Sequence, residues 1–187
     1  TNHPRYEKDK AWFDQFQEDR TVTDADGAKM TVSLSKYYNW GNGNGFKLGG
    51  GSTLHNVALY RCLSAQNTVR GFDQNNNFGD MVIYNASAYD NGTDYGFGNG
   101  NGGNLIIKNS VSLKSRSANY FKCSKVTNVN NSWNTSGVSC TEADFFSLDV
   151  SLILQPRETN GEITATTFMQ LKEGSDLLDA GVDVDLP

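Results

Sequence analysis

The residues best suited to chemistry lie in two related segments rich in glycine and asparagine. The first, residues 42–50, reads Asn-Gly-Asn-Gly-Phe-Lys-Leu-Gly-Gly, and the second, residues 71–77, reads Gly-Phe-Asp-Gln-Asn-Asn-Asn. If Phe46 and Leu48 point inwards from a strand, Lys47 points outwards, because side chains alternate along a strand. An outward amine can act as a base, but only in its neutral form, which burial or neighbouring cations would favour.

Further groups on the same face suit an anionic ligand with many hydroxyl groups. Asp73 holds the position in the second segment that Lys47 holds in the first, so the two side chains should lie side by side. Such a carboxylate would hold the amine in place, but it would also favour the charged amine and so oppose a base role. Arginine and lysine bind carboxylates, and amide side chains bind hydroxyl groups. The expected ligand-binding residues are Asp73, Arg70, Gln74, Asn75 and Lys122.

Each of these residues also has an ordinary structural interpretation. Lys47 can be a solvated lysine paired with Asp73, and Arg70 and Lys122 can be surface charges. Asparagines that follow a strand are often turn residues, because they tolerate a positive φ. Three tyrosines can stack on sugar rings, although tyrosine more often has a packing role: Tyr84, Tyr89 and Tyr95.

A repeat of 22–26 residues positions these segments. Phenylalanines recur at spacings of 26, 25 and 24, at Phe46, Phe72, Phe97 and Phe121. Aliphatic residues recur at spacings of 24, 24 and 22, at Leu59, Ile83, Ile107 and Val129. Between them lie short alternating segments, separated by turns that contain most of the chain's 21 asparagines. The pattern predicts an all-β fold, a parallel β-helix in which each rung buries its inward residues only by stacking on its neighbours.

The repeat also divides the chain into three regions. Residues 31–140 form the rungs, and residues 141–187 are expected to pack on the helix as a C-terminal region. Residues 1–30 are interpreted as a cap or a remnant of upstream rungs, because a solenoid needs polar caps at its ends. The chain is therefore expected to be a piece of a longer β-helix, whose N-terminal part would be its partner.

The composition limits the classes of function. The 187 residues, of which 37% are hydrophobic, suffice for one domain with a sizeable core. The net charge of −5 argues against nucleic-acid binding, which requires a basic surface. No apolar run approaches the ~18 residues that a membrane span needs, so no membrane partner is expected.

The paired segments resemble the family 9 polysaccharide lyases, which are right-handed parallel β-helix pectate lyases. The end of the chain, from Phe146-Ser-Leu-Asp to Leu178-Asp-Ala-Gly, is also similar to that family, and the resemblance covers about residues 40–181. It implies a secreted or periplasmic bacterial enzyme that cleaves a polyuronate such as pectate. It also implies that Lys47 is the catalytic base and that calcium is the cofactor.

Calcium in that family is bound by aspartates on rungs before the lysine, typically within an Asp-Asp-Gly motif. This chain has no such motif. Asp24 and Asp26, in the sequence Asp-Ala-Asp-Gly, form the nearest acidic turn, and such a turn can bind a hard cation. So short a match more often marks an exposed turn. The expectation is that the calcium rungs are missing from this chain or that the protein is an inactive relative.

The chemistry of a polyuronate lyase sets clear requirements. The enzyme removes the proton at C5, α to the carboxylate, and expels the C4 oxygen, which leaves an unsaturated sugar. A cation must neutralise the carboxylate, and a base must lie within hydrogen-bond reach of the proton.

Three other functions remain open on the same fold. One is a non-catalytic β-helix that binds polysaccharide, and another is a structural or adhesive β-helix. The third is a glycoside hydrolase, which needs two carboxylates on either side of the bond. Its loose candidates are Asp73 with Asp90 or Asp94.

Overall fold

A computed structural model describes residues 20–23, 27–32, 43–98 and 100–186. The chain divides into two compact units, Thr1–Gly43 and Asn44–Pro187. The described part of the first unit is an antiparallel pair of strands, β1 (Arg20–Thr23) and β2 (Lys29–Val32). The two aspartates proposed for calcium, Asp24 and Asp26, lie outside the described residues.

The second unit is a parallel β-helix whose strands form three sheets. The Lys47 sheet contains β3 (Phe46–Lys47), β6 (Arg70–Asp73), β9 (Thr93–Phe97) and β12 (Tyr120–Phe121). The Tyr84 sheet contains β4 (Val57–Tyr60), β7 (Met81–Tyr84), β10 (Asn104–Lys108) and β13 (Lys125–Val129). The Ala88 sheet contains β5 (Leu63–Ala65), β8 (Ser87–Tyr89) and β11 (Val111–Leu113). The chain visits the three sheets in turn, about three times, which confirms the predicted parallel β-helix.

The interior is filled by side chains that point inwards from alternate strand positions. In β7, Met81 and Ile83 are buried, whereas Val82 and Tyr84, which alternate with them, are partly exposed. Each inward residue stacks on its equivalent in the next rung, as Leu59 does on Ile83. A single rung therefore has no core of its own, and the hydrophobic stabilisation comes from contacts between rungs.

The aromatic ladder differs from the predicted one. The rings of Phe46 and Phe72 stack at 4.9 Å, but Phe72 then pairs with Tyr95, at 5.0 Å, and not with Phe97. Phe97 instead stacks on Phe121, at 6.1 Å. The spacing of 25 was misleading because β9 has two inward aromatic residues, two positions apart, and the ladder shifts from one to the other.

The aliphatic ladder is also one residue out of step in the last rung. Ile107 pairs with Asn128, and Val129 points outwards and is 41% exposed. Asn128 accepts a hydrogen bond from the indole nitrogen of Trp133 at 3.1 Å. The ring of Trp133 stacks on Phe121 at 5.6 Å, so this residue covers the end of the aromatic ladder.

A column of residues with positive φ turns the chain from the Tyr84 sheet to the Ala88 sheet. Equivalent positions in successive rungs all have φ between 52° and 55°: Arg61, Asn85, Asn109 and Asn130. Asparagine predominates because its short polar side chain tolerates the left-handed conformation better than most residues. The asparagine-rich composition is thus largely a property of the turns.

The C-terminal segment contains two 3₁₀ helices, Glu142–Asp144 and Val150–Leu154, and contacts the rungs. Phe145 and Phe168 join Tyr89 and Leu113 in a second hydrophobic cluster. Further along, the backbone of Val182 makes two hydrogen bonds to one asparagine side chain of the third rung. Within the described residues, no helix has the length and apolar character needed to cross a membrane.

Candidate functional site

A cavity of about 430 Å³ lies against the outer face of the Lys47 sheet. Its lining is almost entirely polar or glycine, which suits a hydrated ligand with many hydroxyl groups. The lining residues are Arg70, Asp73, Gln74, Asn75, Asn76, Gly96, Gly98, Gly100 and Tyr120. Four of the five predicted ligand-binding residues are therefore brought together here.

Strand register places Lys47 beside this cavity. Lys47 pairs with Asp73, Asp73 with Gly96, and Gly96 with Tyr120. We call these four residues the outer row. Lys47 is exposed while Leu48 beside it is only 4% exposed, as strand alternation requires.

The carboxylate of Asp73 is already fully engaged. Its Oδ1 lies 3.2 Å from Nη1 of Arg70 and accepts the backbone N–H of Asn75 at 3.0 Å. Its Oδ2 accepts from the side-chain amide of Asn44 at 2.8 Å. Among the described residues Asp73 therefore forms its ion pair with Arg70 and not with Lys47. The guanidinium of Arg70 therefore compensates much of the carboxylate charge next to Lys47.

Arg70 is held across the outer row by contacts on both sides. Its Nε donates to the hydroxyl of Tyr120 at 2.7 Å, and its guanidinium lies 5.9 Å from the centre of that ring. Burial lowers the pKa of Arg70, but the Asp73 carboxylate and the Tyr120 hydroxyl outweigh this effect and raise it. These bonds use two of the five N–H donors of the guanidinium, so the others can bind a ligand carboxylate in the cavity.

Gly96 makes this position of Arg70 possible. A Cβ atom at Gly96 would lie 2.4 Å from Cδ and 2.8 Å from Nε of Arg70. Only a residue without a side chain leaves room for Arg70 to reach Tyr120. Gly96, Tyr120 and Asn44 were not predicted as site residues. The signal available in the sequence was the position of Tyr120, which lies one rung after Gly96.

The other predicted ligand-binding residues differ in accessibility. Gln74 is 1% exposed, and its side-chain amide donates to the backbone carbonyl of Asn77. Asn75 has a positive φ of 50°, lines the cavity and donates to the carbonyl of Gly49, so it is both a turn residue and a candidate ligand contact. Lys122 is exposed just beyond β12, and it is not one of the residues that line the cavity.

The three tyrosines considered for sugar stacking differ in their exposure. Tyr95 is fully buried inside the helix, and its hydroxyl donates to the carbonyl of Ala86 at 3.0 Å. Tyr89 is 6% exposed and packs edge-on against Phe168. Tyr84 alone of the three presents part of its ring on an outer face. Tyr95 and Tyr89 therefore have a packing role.

The described residues do not form a calcium site. In residues 20–23, 27–32, 43–98 and 100–186, no group of three or more histidine, cysteine, aspartate or glutamate side chains could hold a metal ion. Asp73, the acidic residue of the outer row, is paired with Arg70, which makes it a poor ligand for a hard cation.

A pair of hydrolytic carboxylates is not supported either. Asp94 is fully buried and accepts hydrogen bonds from Ser112, at 2.7 Å, and Asn91, also at 2.7 Å. Burial raises the pKa of Asp94, and these hydrogen bonds only partly oppose the effect. Asp90 points instead to Arg116, with an N–O distance of 3.4 Å. Neither residue lines the cavity that contains Asp73.

Comparisons with known proteins identify the family to which this β-helix belongs. Residues 9–109 match the model of a family described as the Pel9A-like, right handed beta helix region. Pectate lyase L of Dickeya dadantii is 38% identical over 143 residues, which is 75% of this chain and 32% of the relative.

Two solved structures have the same fold. The crystal structure of pectate lyase Pel9A matches 81% of this chain and 38% of that protein, with a TM-score of 0.69 and 36% identity. A rhamnogalacturonan lyase matches 62% of this chain and 30% of its own, with a TM-score of 0.56 and 25% identity. The chain spans about a third of the length of the curated relatives that it matches. The family match confirms the resemblance to the family 9 lyases: the chain belongs to the Pel9A-like right-handed β-helix family.

Proposed function

We propose that the protein is a polyuronate lyase in which Lys47 is the catalytic base and Arg70 binds a substrate carboxylate. The observation that carries the proposal is the outer row. It sets an exposed lysine beside an aspartate whose charge is compensated by an arginine, at the edge of a polar cavity. The pectate lyases that the chain resembles support the choice of substrate class.

The residues of the cavity match the groups of a polyuronate. The free N–H groups of Arg70 suit a carboxylate, for which arginine offers two parallel donors. The amide of Asn75 and the hydroxyl of Tyr120 suit sugar hydroxyl groups. Asp73 and Tyr120 fix the guanidinium from two sides before any ligand arrives, so little side-chain freedom is lost on binding.

The proposed reaction gives each of these residues a role. The neutral amine of Lys47 accepts the C5 proton of a bound uronate, and the C5–H electron pair becomes the new C4–C5 double bond. The C4–O bond breaks at the same time, and the leaving oxygen takes a proton from water. The guanidinium of Arg70, bonded to a substrate carboxylate, stabilises negative charge that develops during proton removal.

Calcium dependence stays a prediction that comes from the family alone. The described residues offer no ligand set, and Asp24 and Asp26, the acidic turn that could bind a hard cation, lie outside them. The main calcium aspartates are expected to be absent from this chain. Secretion or periplasmic location also stays a prediction, since an acidic polysaccharide substrate would be met outside the cytoplasm.

A second candidate function is polysaccharide binding without cleavage. It is favoured by one observation, which is that the described residues place no acidic cluster beside Lys47. In that case Arg70, Asn75 and Tyr120 would bind the polymer, and Lys47 would supply charge only.

Incubation of the protein with polygalacturonate at alkaline pH, with and without calcium, separates these functions. The lyase releases a product whose C4–C5 double bond absorbs ultraviolet light. New reducing ends without this absorbance indicate a hydrolase, and binding without either product indicates the second candidate. Rhamnogalacturonan, tested in parallel, determines which polyuronate is preferred. Absence of the unsaturated product from both polymers would contradict the lyase proposal, and a protein that also binds neither polymer would contradict the second candidate.

A further inference from the structure

The outer face of the Tyr84 sheet is a second surface with the features of a carbohydrate-binding site. Four strands present three columns of outward side chains there. The first column is Asn56, Asp80, Asn104 and Lys125; the second is Ala58, Val82, Ile106 and Thr127; the third is Tyr60, Tyr84, Lys108 and Val129. The central column is mainly apolar, and the flanking columns are polar, aromatic or basic.

Two tyrosine rings form the aromatic part of this face. The ring centres of Tyr60 and Tyr84 are 5.8 Å apart, and the two planes are tilted by 30°. Tyr60 is 46% exposed, although tyrosine carries a large apolar ring. The Nζ of Lys108 lies 5.9 Å from the centre of the Tyr84 ring, so the next rung continues the aromatic column with a positive charge.

A groove of about 220 Å³ runs across the same face at the start of the strands. Its outward lining combines apolar side chains, Val82 and Ile106, with the polar groups of Asn104 and Thr127. Lys125 lies at its edge. A sugar has one apolar ring face and a rim of hydroxyl groups, and such a mixed surface matches both.

The charges of this face are unusual for a protein with a net charge of −5. No ion pair of the described residues includes Lys108 or Lys125. The acidic residue on the face, Asp80, accepts two hydrogen bonds from Asn104, at 2.8 and 3.1 Å, through one carboxylate oxygen. Asp80 keeps its negative charge, but with two lysines and one aspartate the face is net positive, which is complementary to an anion.

We propose that the outer face of the Tyr84 sheet is a second binding surface for an acidic polysaccharide, separate from the cavity of the Lys47 sheet. Sugar rings lie against Tyr60 and Tyr84, and uronate carboxylates pair with Lys108 and Lys125. The proposal shares its substrate class with the proposed function. It does not depend on cleavage, because the two surfaces belong to different sheets.

Lysine labelling with and without a bound oligosaccharide tests the location directly. The protein is acylated at its amines in the presence of oligogalacturonate, and the labelling of each lysine is read by mass spectrometry. We expect bound oligosaccharide to lower the acylation of Lys108 and Lys125. Lys114 is the matched control, whose acylation should not change. Its Nζ also lies over a tyrosine ring, 5.8 Å from the centre of Tyr89, but it is paired with Glu142 at 2.9 Å. Protection of Lys47 or Lys122 reports separately on the first site, so the two proposals can fail independently.

Three outcomes of the labelling experiment would overturn the proposal. Lys108 and Lys125 could stay as reactive with the oligosaccharide as without it. Both could be unreactive in the free protein, which would mean that another part of the protein covers the face. A fully methyl-esterified oligosaccharide, which has no charge, could protect them equally well, which would remove the proposed role of the carboxylates.

Substitutions then measure the contribution of single residues to polymer binding. Lys108→Gln should weaken the binding of oligogalacturonate by about two- to fivefold, the range expected for an exposed ion pair. Tyr60→Ala should weaken it further, with unchanged thermal unfolding as the test of folding. Lys114→Gln should have no effect. Equal binding by Lys108→Gln, Tyr60→Ala and the wild type would contradict the proposal.

Discussion

Asp94 is the residue whose burial has the clearest consequence for stability. Its side chain is fully buried, and its ordinary pKa of 3.8 is raised by burial, with hydrogen bonds from Ser112 and Asn91 opposing the change. A carboxyl group whose pKa is higher in the folded than in the unfolded state stabilises the fold only while the group is neutral. Its contribution is fully present below about pH 3.8 and is lost as the pH rises through the folded value.

Asp94→Asn should therefore raise the free energy of unfolding at neutral pH. The amide keeps an acceptor for Asn91 and provides a donor towards Ser112, while the buried charge is removed. The advantage over the wild type should shrink as the pH falls through the raised pKa of folded Asp94 and be absent below about pH 3.8, and thermal unfolding measured across the pH range tests this. Asp94→Ala is the control, because it leaves the partners unsatisfied and should cost about 1–3 kcal/mol. Lower stability of Asp94→Asn than of the wild type at pH 7 would contradict the assignment.

Gly96 tests the position of Arg70 without changing a charged residue. In Gly96→Ala the added Cβ would displace the flexible Arg70 side chain from Tyr120. Loss of a charged hydrogen bond to substrate costs about 1.5–3 kcal/mol, so KM for the polyuronate should rise by at least about tenfold. The melting temperature should fall somewhat, because Asp73 is only 5% exposed and loses its ion pair with Arg70, so KM is measured well below the unfolding temperature of the variant. An unchanged KM would mean that Arg70 does not contact substrate in this position.

At the scale of the strands, the aromatic ladder carries much of the stability. Phe72 is fully buried between Phe46 and Tyr95. Phe72→Ala should lower the free energy of unfolding by about 3–5 kcal/mol, as other truncations of buried phenylalanine do. Phe146→Ala is the control, because this ring is 57% exposed and its loss should cost less than about 1 kcal/mol. If chemical denaturation gave similar decreases in the free energy of unfolding for the two variants, the stabilising role of the aromatic ladder would be contradicted.

The strands also show how much of the fold and the site the sequence can predict. Alternation alone places Lys47 outwards and opposite Asp73, since it depends only on neighbouring residues and one rung length. The pairing of Phe72 with Tyr95 was not predictable, because β9 contains two inward aromatic residues and spacing cannot choose between them. The contact between Arg70 and Tyr120 was not predictable either, since it spans two rungs and depends on side-chain reach. Local periodicity thus determines the fold class, whereas the site depends on the exact length of each rung.

At the scale of the whole second unit, one asparagine links the C-terminal segment to the rungs. Asn109 donates to the carbonyl of Val182 at 2.7 Å and accepts from its N–H at 2.9 Å. Asn109→Ala should speed hydrogen exchange at the Val182 amide. It should lower the free energy of unfolding by about 1 kcal/mol, in addition to the strain of placing alanine at a positive φ. Asn85→Ala is the matched control, because the residue has the same positive φ one rung earlier. Equal exchange at Val182 in both variants would contradict the link.

The proposed cleavage depends on Lys47 as the base, and the turnover number of the enzyme is its most direct measurement. The formation of unsaturated product from polygalacturonate should be followed at alkaline pH with added calcium. Lys47→Ala should lower kcat by about 10²–10⁴-fold, the usual contribution of a general base, while KM changes little. Lys47→Arg should not restore activity, because a guanidinium stays protonated. Lys114→Gln, which lies outside both proposed surfaces and pairs with Glu142, serves as the control for the loss of a lysine charge. An inert wild-type protein, or a Lys47→Ala variant as active as the wild type, would contradict the account.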